Sequence, residues 1–131
     1  MSLDRQMPVL VVDDSDTMVS IIRSLLRQLG FLEVDDANDG AQALVKMRAK
    51  RYGIVISDWN MQPMTGCELL QEVRRDPNLK QTPFIMVTAE SKVENVIAAK
   101  KAGVSNYIIK PFSANTLKEK IVSVLAGSQQ R

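Results

Sequence analysis

Five residues spaced along the chain could do chemistry together: Asp13, Asp14, Asp58, Thr88 and Lys110. Each stands where an apolar run stops. Val9-Leu10-Val11-Val12 stops on Asp13-Asp14, and Ile54-Val55-Ile56-Ser57 stops on Asp58. Phe84-Ile85-Met86-Val87 stops on Thr88, and Tyr107-Ile108-Ile109 stops on Lys110. Taken singly, each has an ordinary explanation as a helix cap, a turn residue or a solvated charge. If the runs are parallel strands of one sheet, however, their C-terminal ends share an edge, which is where open α/β sheets bind ligands. The set then becomes a pocket of three carboxylates with one hydroxyl and one ammonium.

Carboxylates crowded into one pocket oppose one another's ionisation, and a hard divalent cation relieves that repulsion. Oxygen-only ligands point to Mg²⁺, which takes one or two protein carboxylates and keeps several waters. A carboxylate beside Mg²⁺ and a lysine can act as a nucleophile toward phosphorus, while the two cations offset charge on the transferring oxygens. The chain has no histidine. That excludes Ser-His-Asp and Cys-His catalysis and the usual zinc sites.

The residues between the runs supply the elements that would position these groups. Short all-apolar runs suit parallel strands covered on both faces. A weaker strand is expected near Leu32 to Ala37. Met18, Ile21, Ile22, Leu25, Leu26 and Leu29 recur at helical spacing after a cap at Ser15 or Asp16, and Gly30 closes that helix. Asp39 with Gln42, Thr65 with Glu68 and Ser91 with Glu94 read as capping boxes of three further helices. Ala43, Leu44 and Met47 would face inward from the first of these, and Leu69, Leu70 and Val73 from the second, which Asp76-Pro77-Asn78 ends. The third carries Val93, Val96, Ile97 and Ala98 and ends near Gly103. Ser113 caps a last helix with Leu117, Ile121, Val124 and Leu125 inward. Strand and helix therefore alternate five times, which predicts an α/β fold: a doubly wound parallel sheet with helices on both faces and right-handed crossovers.

Bulk properties agree. The 131 residues are expected to form one domain with a core at about 8–126, a loose leader over 1–7 and a polar tail over 127–131. Apolar content of 45% and charged content of 24% are ordinary for a globular domain. A formal charge of +2 gives no basis for nucleic-acid binding. No apolar run reaches membrane-spanning length and no signal-peptide core is present, so the expected location is cytoplasmic. The lone Cys67 cannot form an internal disulfide, which suits a reducing compartment, and it reads as a helix residue with nothing local to activate its thiol. Met18, Met47 and Met86 read as core, Met61 and Met64 as packing residues in preference to a partner surface, and Trp59 as half exposed.

The stretches Val11-Val12-Asp13-Asp14, Ser57-Asp58-Trp59-Asn60-Met61, Thr88-Ala89-Glu90 and Lys110-Pro111-Phe112 occur in this order. In them the chain resembles the receiver domains of two-component response regulators, from Val9 to about Leu125, and most of all the stand-alone chemotaxis regulators of that family. The resemblance implies a flavodoxin-like sheet of order 2-1-3-4-5. It implies Asp58 as phosphoacceptor, and Mg²⁺ held by Asp13, Asp14, Asp58 and the backbone carbonyl of Asn60, with Asp14 the most direct ligand. Thr88 and Lys110 would contact the phosphoryl group, Thr88 and Tyr107 would form a switch pair, and Glu90 would tune phosphoryl hydrolysis. The Lys110-Pro111 bond is expected to be cis. Gln62 stands where the family commonly has proline, with Pro63 next, which puts the shape of that loop in question but leaves the site residues intact.

These implications give a monomeric signalling protein rather than an enzyme, although it would promote its own phosphorylation and dephosphorylation. A histidine kinase would donate the phosphoryl group. With no output domain fused, the output is another protein, the flagellar motor switch being the first candidate and a phosphatase a further partner. The responsive face would comprise the helix before Gly103, the Tyr107 strand and the last helix. One alternative is a phosphate sink or relay without motor binding. Another is a small Mg²⁺-dependent phosphatase, for which the chain has no residues left to build a substrate cap.

Overall fold

All-apolar strands need cover on both faces, and the structure supplies it. The computed structural model describes residues 6–59, 61, 64–88, 97, 100, 101, 103–109 and 112–129, with side chains described as far as Leu125. Strands β1 (Val9–Val12), β2 (Val34–Ala37), β3 (Ile54–Asp58), β4 (Phe84–Thr88) and β5 (Asn106–Ile109) form a five-stranded sheet in the order β2-β1-β3-β4-β5. Every pairing is parallel. This is the doubly wound order implied above, and it places the reversal of strand order between β1 and β3.

Side chains alternate across the pleat, so each strand feeds two cores. Val9, Val11, Ile54, Ile56, Ile85, Val87 and Ile108 meet helix α1 (Asp16–Gln28) and helix α4 (Ala114–Gln129) on one face. Leu10, Val12, Val55, Phe84 and Met86 meet α2 (Gly40–Ala49) and α3 (Gly66–Arg75) on the other. Every residue of β1, β3 and β4 is buried.

The helix starts follow the cap chemistry. Ser15 Oγ accepts from the Met18 N–H at 3.3 Å, Asp39 Oδ1 from Gln42 at 2.8 Å and Ser113 Oγ from Thr116 at 3.2 Å. Thr65 and Glu68 form a reciprocal capping box. The Asp39 box is not reciprocal, because the Gln42 side chain accepts from the Asn38 N–H instead. Gly30, at φ 97°, ends α1 in the left-handed conformation that glycine alone adopts freely.

Three sequence expectations shift. The buried stripe of α1 is Val19, Ile22 and Leu26, flanked by Met18, Leu25 and Leu29, while Ile21 is 46% exposed. Ile21 lies about 100° around the helix from Ile22, beyond the stripe's edge. Met7 is not loose: it packs on the first core and covers Gly53. Helix α4 continues through Gly127 to Gln129, since no proline or capping motif stops it there. Ile97 lies in helical backbone and is 46% exposed; Ser91, Val93, Glu94, Val96 and Ala98 lie outside the described residues. Met47, Met61 and Met86 are buried, and Met64 packs beside them over Gly40.

Candidate functional site

Register brings the acidic groups together. Val12 pairs with Ser57 across β1 and β3, so the residues that follow, Asp13 and Asp58, come out side by side at the switch point. Asp13 is held there at both ends of the residue. Its N–H donates to the Ala37 carbonyl at 3.1 Å, and its Oδ1 accepts from the Ser15 N–H at 2.9 Å. Ser15 thus both caps α1 and orients Asp13. Asp14, one residue on, turns out toward solvent and is exposed.

Asp58 is the last residue of β3 and is 8% exposed. Three hydrogen bonds fix the backbone of Asp58 and of Trp59 after it. Ser57 Oγ donates to the Asp58 carbonyl at 3.0 Å, the Trp59 N–H donates to Val87 O at 2.9 Å, and the Gly66 N–H donates to Trp59 O at 2.9 Å. The first turn of α3 therefore lies directly against the end of β3. A Cβ on Gly66 would fall 2.1 Å from the Asp58 carbonyl oxygen, so only glycine permits this approach.

One carboxylate oxygen from each of Asp13, Asp14 and Asp58 lies within 4.8 Å of the others. Two of these carboxylates are buried, Asp13 at 1% exposure and Asp58 at 8%. Gathering buried like charges is costly unless positive charge compensates. The donors are all hard oxygens, with no nitrogen or sulfur among them, and Asp14 leaves the cluster open to solvent. That donor set fits a small hard cation that retains water, as Mg²⁺ does.

Thr88 ends β4 and is 5% exposed. Its Cα partner is Ile109, and Tyr107 pairs with Met86. Residues two apart on a strand share a face, so Met86, Thr88 and Tyr107 lie on the α2–α3 side of the sheet, where Tyr107 packs partly buried. Asn60, Glu90, Lys110 and the Lys110-Pro111 bond lie outside the described residues, as do Gln62 and Pro63. Trp59 is half-buried beside the nucleophile candidate. Burial and the nearby Glu68 push the Cys67 thiol up, the opposite of activation.

The described contacts add residues not singled out from sequence. Ser57, a polar residue in an apolar run, was the visible signal for a group that fixes the Asp58 carbonyl. Gly66 carried no such signal, because its role depends on how closely α3 approaches β3. Arg74 reaches three carbonyls, those of Gly103 at 2.8 Å, Lys80 at 2.9 Å and Thr82 at 2.7 Å, and so ties the entry to β4 to the turn before β5.

The response regulator receiver domain model matches residues 9–122. A chemotaxis protein CheY-3 of Vibrio cholerae is 47% identical over 119 residues, 91% of this chain and 92% of that protein. A chemotaxis protein CheY of Pseudomonas aeruginosa is 48% identical over 118 residues, 90% and 95% respectively. Among solved structures, the chemotaxis protein CheY4 of Vibrio cholerae superposes with a TM-score of 0.85 at 36% identity, covering 91% of this chain and 98% of that one.

Proposed function

We infer that this chain, which belongs to the response regulator receiver family, works as a phosphorylation-controlled binding module. The observation that carries the reading is the cluster of Asp13, Asp14 and Asp58 within 4.8 Å, with Thr88 at the end of the neighbouring strand. In this reading a carboxylate oxygen of Asp58 forms a bond to phosphorus. The bond from phosphorus to a histidine nitrogen of the donor kinase breaks, and that nitrogen keeps the electron pair and takes up a proton. Asp58 is suited to the attack because its strand, Ser57 and the α3 N-terminus fix its backbone, so little ordering remains to be done.

Asp13 and Asp14, with the backbone carbonyl of Asn60 by resemblance, would hold Mg²⁺ together with Asp58. When bound, the cation supplies positive charge that offsets the phosphoryl oxygens. Lys110, placed in this role by resemblance, would add an ammonium. The Thr88 hydroxyl would donate to a phosphoryl oxygen, and its displacement would vacate room for Tyr107 to turn inward. Phosphorylation can shift such an equilibrium only through its different interaction with the two states. Chemotaxis is the process this reading favours, since the relatives at 47% and 48% identity are chemotaxis proteins. The flagellar motor switch is then the first candidate for the output partner, and Glu90 a residue that tunes dephosphorylation.

The test is covalent labelling. The parent should form an acid-stable, base-labile aspartyl phosphate with acetyl phosphate and Mg²⁺, seen as a mass gain in intact-protein spectra. Asp58→Asn should not, because the amide lacks the nucleophilic oxygen. Equal labelling of both proteins would move the phosphoacceptor elsewhere.

A further inference from the structure

Strand β5 is at the end of the sheet, and among the described residues its outer edge has no ladder partner. There the Tyr107 backbone N–H donates to Asn106 Oδ1 at 2.8 Å. The same oxygen accepts from Lys120 Nζ on α4, 3.4 Å away. That ammonium also stands 5.6 Å from the centroid of the Tyr107 ring. One cation therefore meets the tyrosine twice, through the carboxamide that holds its main chain and over the face of its ring. Both side chains are half-buried, which shields the contact in part from water. Moving the ring from its place on the α2–α3 side would leave the Lys120 ammonium without its π-face.

We propose that Lys120 is a positioning residue for the switch: its ammonium, reaching from α4 to the ring face, holds the Tyr107 ring in its resting place and so sets how far the equilibrium leans before phosphorylation. The proposal rests on the reading of Tyr107 as the switch ring. Its strength follows from the contact type, since a cation over an aromatic face at a partly exposed site biases a two-state equilibrium about two- to fivefold. Lysine at this position therefore sets a modest threshold that phosphorylation can overcome.

The test uses fluorine NMR of the full chain labelled with 3-fluorotyrosine. The protein has two tyrosines, and Tyr52, held by Asp35, serves as the internal reference. Lys120→Met keeps the stem and removes the charge. In the metal-free protein it should move the residue 107 resonance toward its activated position, by a population change of about two- to fivefold. Apparent affinity for beryllofluoride with Mg²⁺ should rise by the same factor, because coupling is reciprocal. Lys120→Arg should restore the parent signal, since a guanidinium also stacks on a ring. An unchanged 107 resonance in Lys120→Met overturns the proposal. So does a resonance that moves without any change in beryllofluoride affinity, or one that Lys120→Arg fails to restore. If the parent itself does not bind beryllofluoride, the phosphoacceptor reading fails, while the metal-free fluorine comparison still decides whether Lys120 holds the ring.

Discussion

Replacing Gly66 with alanine tests how closely the site depends on one backbone contact. A Cβ there would lie 2.1 Å from the Asp58 carbonyl oxygen, 3.0 Å from its carbon and 2.8 Å from Met86 Sδ. Ordinary contacts between such atoms are roughly 3.5 Å, so the overlap exceeds an ångström. Met86 can move its sulfur, but the Asp58 carbonyl belongs to a strand paired on both sides. Either α3 or the end of β3 must shift. Overpacking of this kind costs about 1–3 kcal/mol, and the better helix propensity of alanine returns less than about 1 kcal/mol. With about 2.1 cal/mol/K of unfolding entropy per residue, 131 residues give roughly 0.28 kcal/mol/K. A net loss of about 1–2 kcal/mol then lowers Tm by about 4–7 °C. The effect on phosphorylation should be larger, because an ångström of displacement at a reacting group costs up to about a hundredfold in rate. Gly40→Ala is the control. The three atoms nearest its Cβ all belong to the Met64 side chain, Sδ at 2.5 Å, Cγ at 2.8 Å and Cβ at 3.0 Å, and no backbone atom is among them; the sulfur and Cγ can swing aside. The assays are thermal unfolding and the rate of acetyl phosphate labelling in all three proteins. If Gly66→Ala melts within a degree of the parent and labels at the parent rate, the close approach of α3 to Asp58 is not required.

Three further outcomes are expected. Mg²⁺ at ten times its Kd should stabilise the parent by about 1.4 kcal/mol through linkage, and Asp14→Ala should lose that gain in a melt with and without EDTA; an unchanged magnesium response would remove Asp14 from the site. Arg74→Ala should lower stability by about 1–3 kcal/mol in urea unfolding with little effect on labelling, because three carbonyls lose a charged donor far from the acidic cluster; parent-like unfolding would show that water replaces it at no cost. Burial, then the hydrogen bond to Asp35, pushes the Tyr52 hydroxyl up to about 12, so its contribution to stability is complete below the ordinary tyrosine range near 10 and is lost as pH rises through about 12. Tyr52 is in turn the main cause holding Asp35 below its usual value, so that contribution is present above the unfolded carboxylate range and fades as pH falls through it. Tyr52→Phe should flatten both limbs of a stability–pH profile, and identical profiles would sink the assignment.

The sequence by itself determined the elements and the identities at the sheet edge. Apolar runs that stop on Asp13, Asp58 and Thr88 are legible because a buried parallel strand must be apolar and its end need not be. Caps at Ser15, Asp39, Thr65 and Ser113 are legible because they act within a single turn of chain. Helix facing was less so: Ile21 fits the period as well as Ile22 does, and only the packed sheet decides which edge of the stripe is covered. Tertiary structure alone decided the distances. Register turns two separate aspartates, Asp13 and Asp58, into neighbours, and no local pattern encodes the pairing of Val12 with Ser57. The same holds for Gly66 against the Asp58 carbonyl, for Arg74 across three carbonyls and for Lys120 over Tyr107. Each joins different elements of the fold, and such contacts arise from how layers pack around a shared core, which hydrophobic periodicity specifies only as a face and never as a contact.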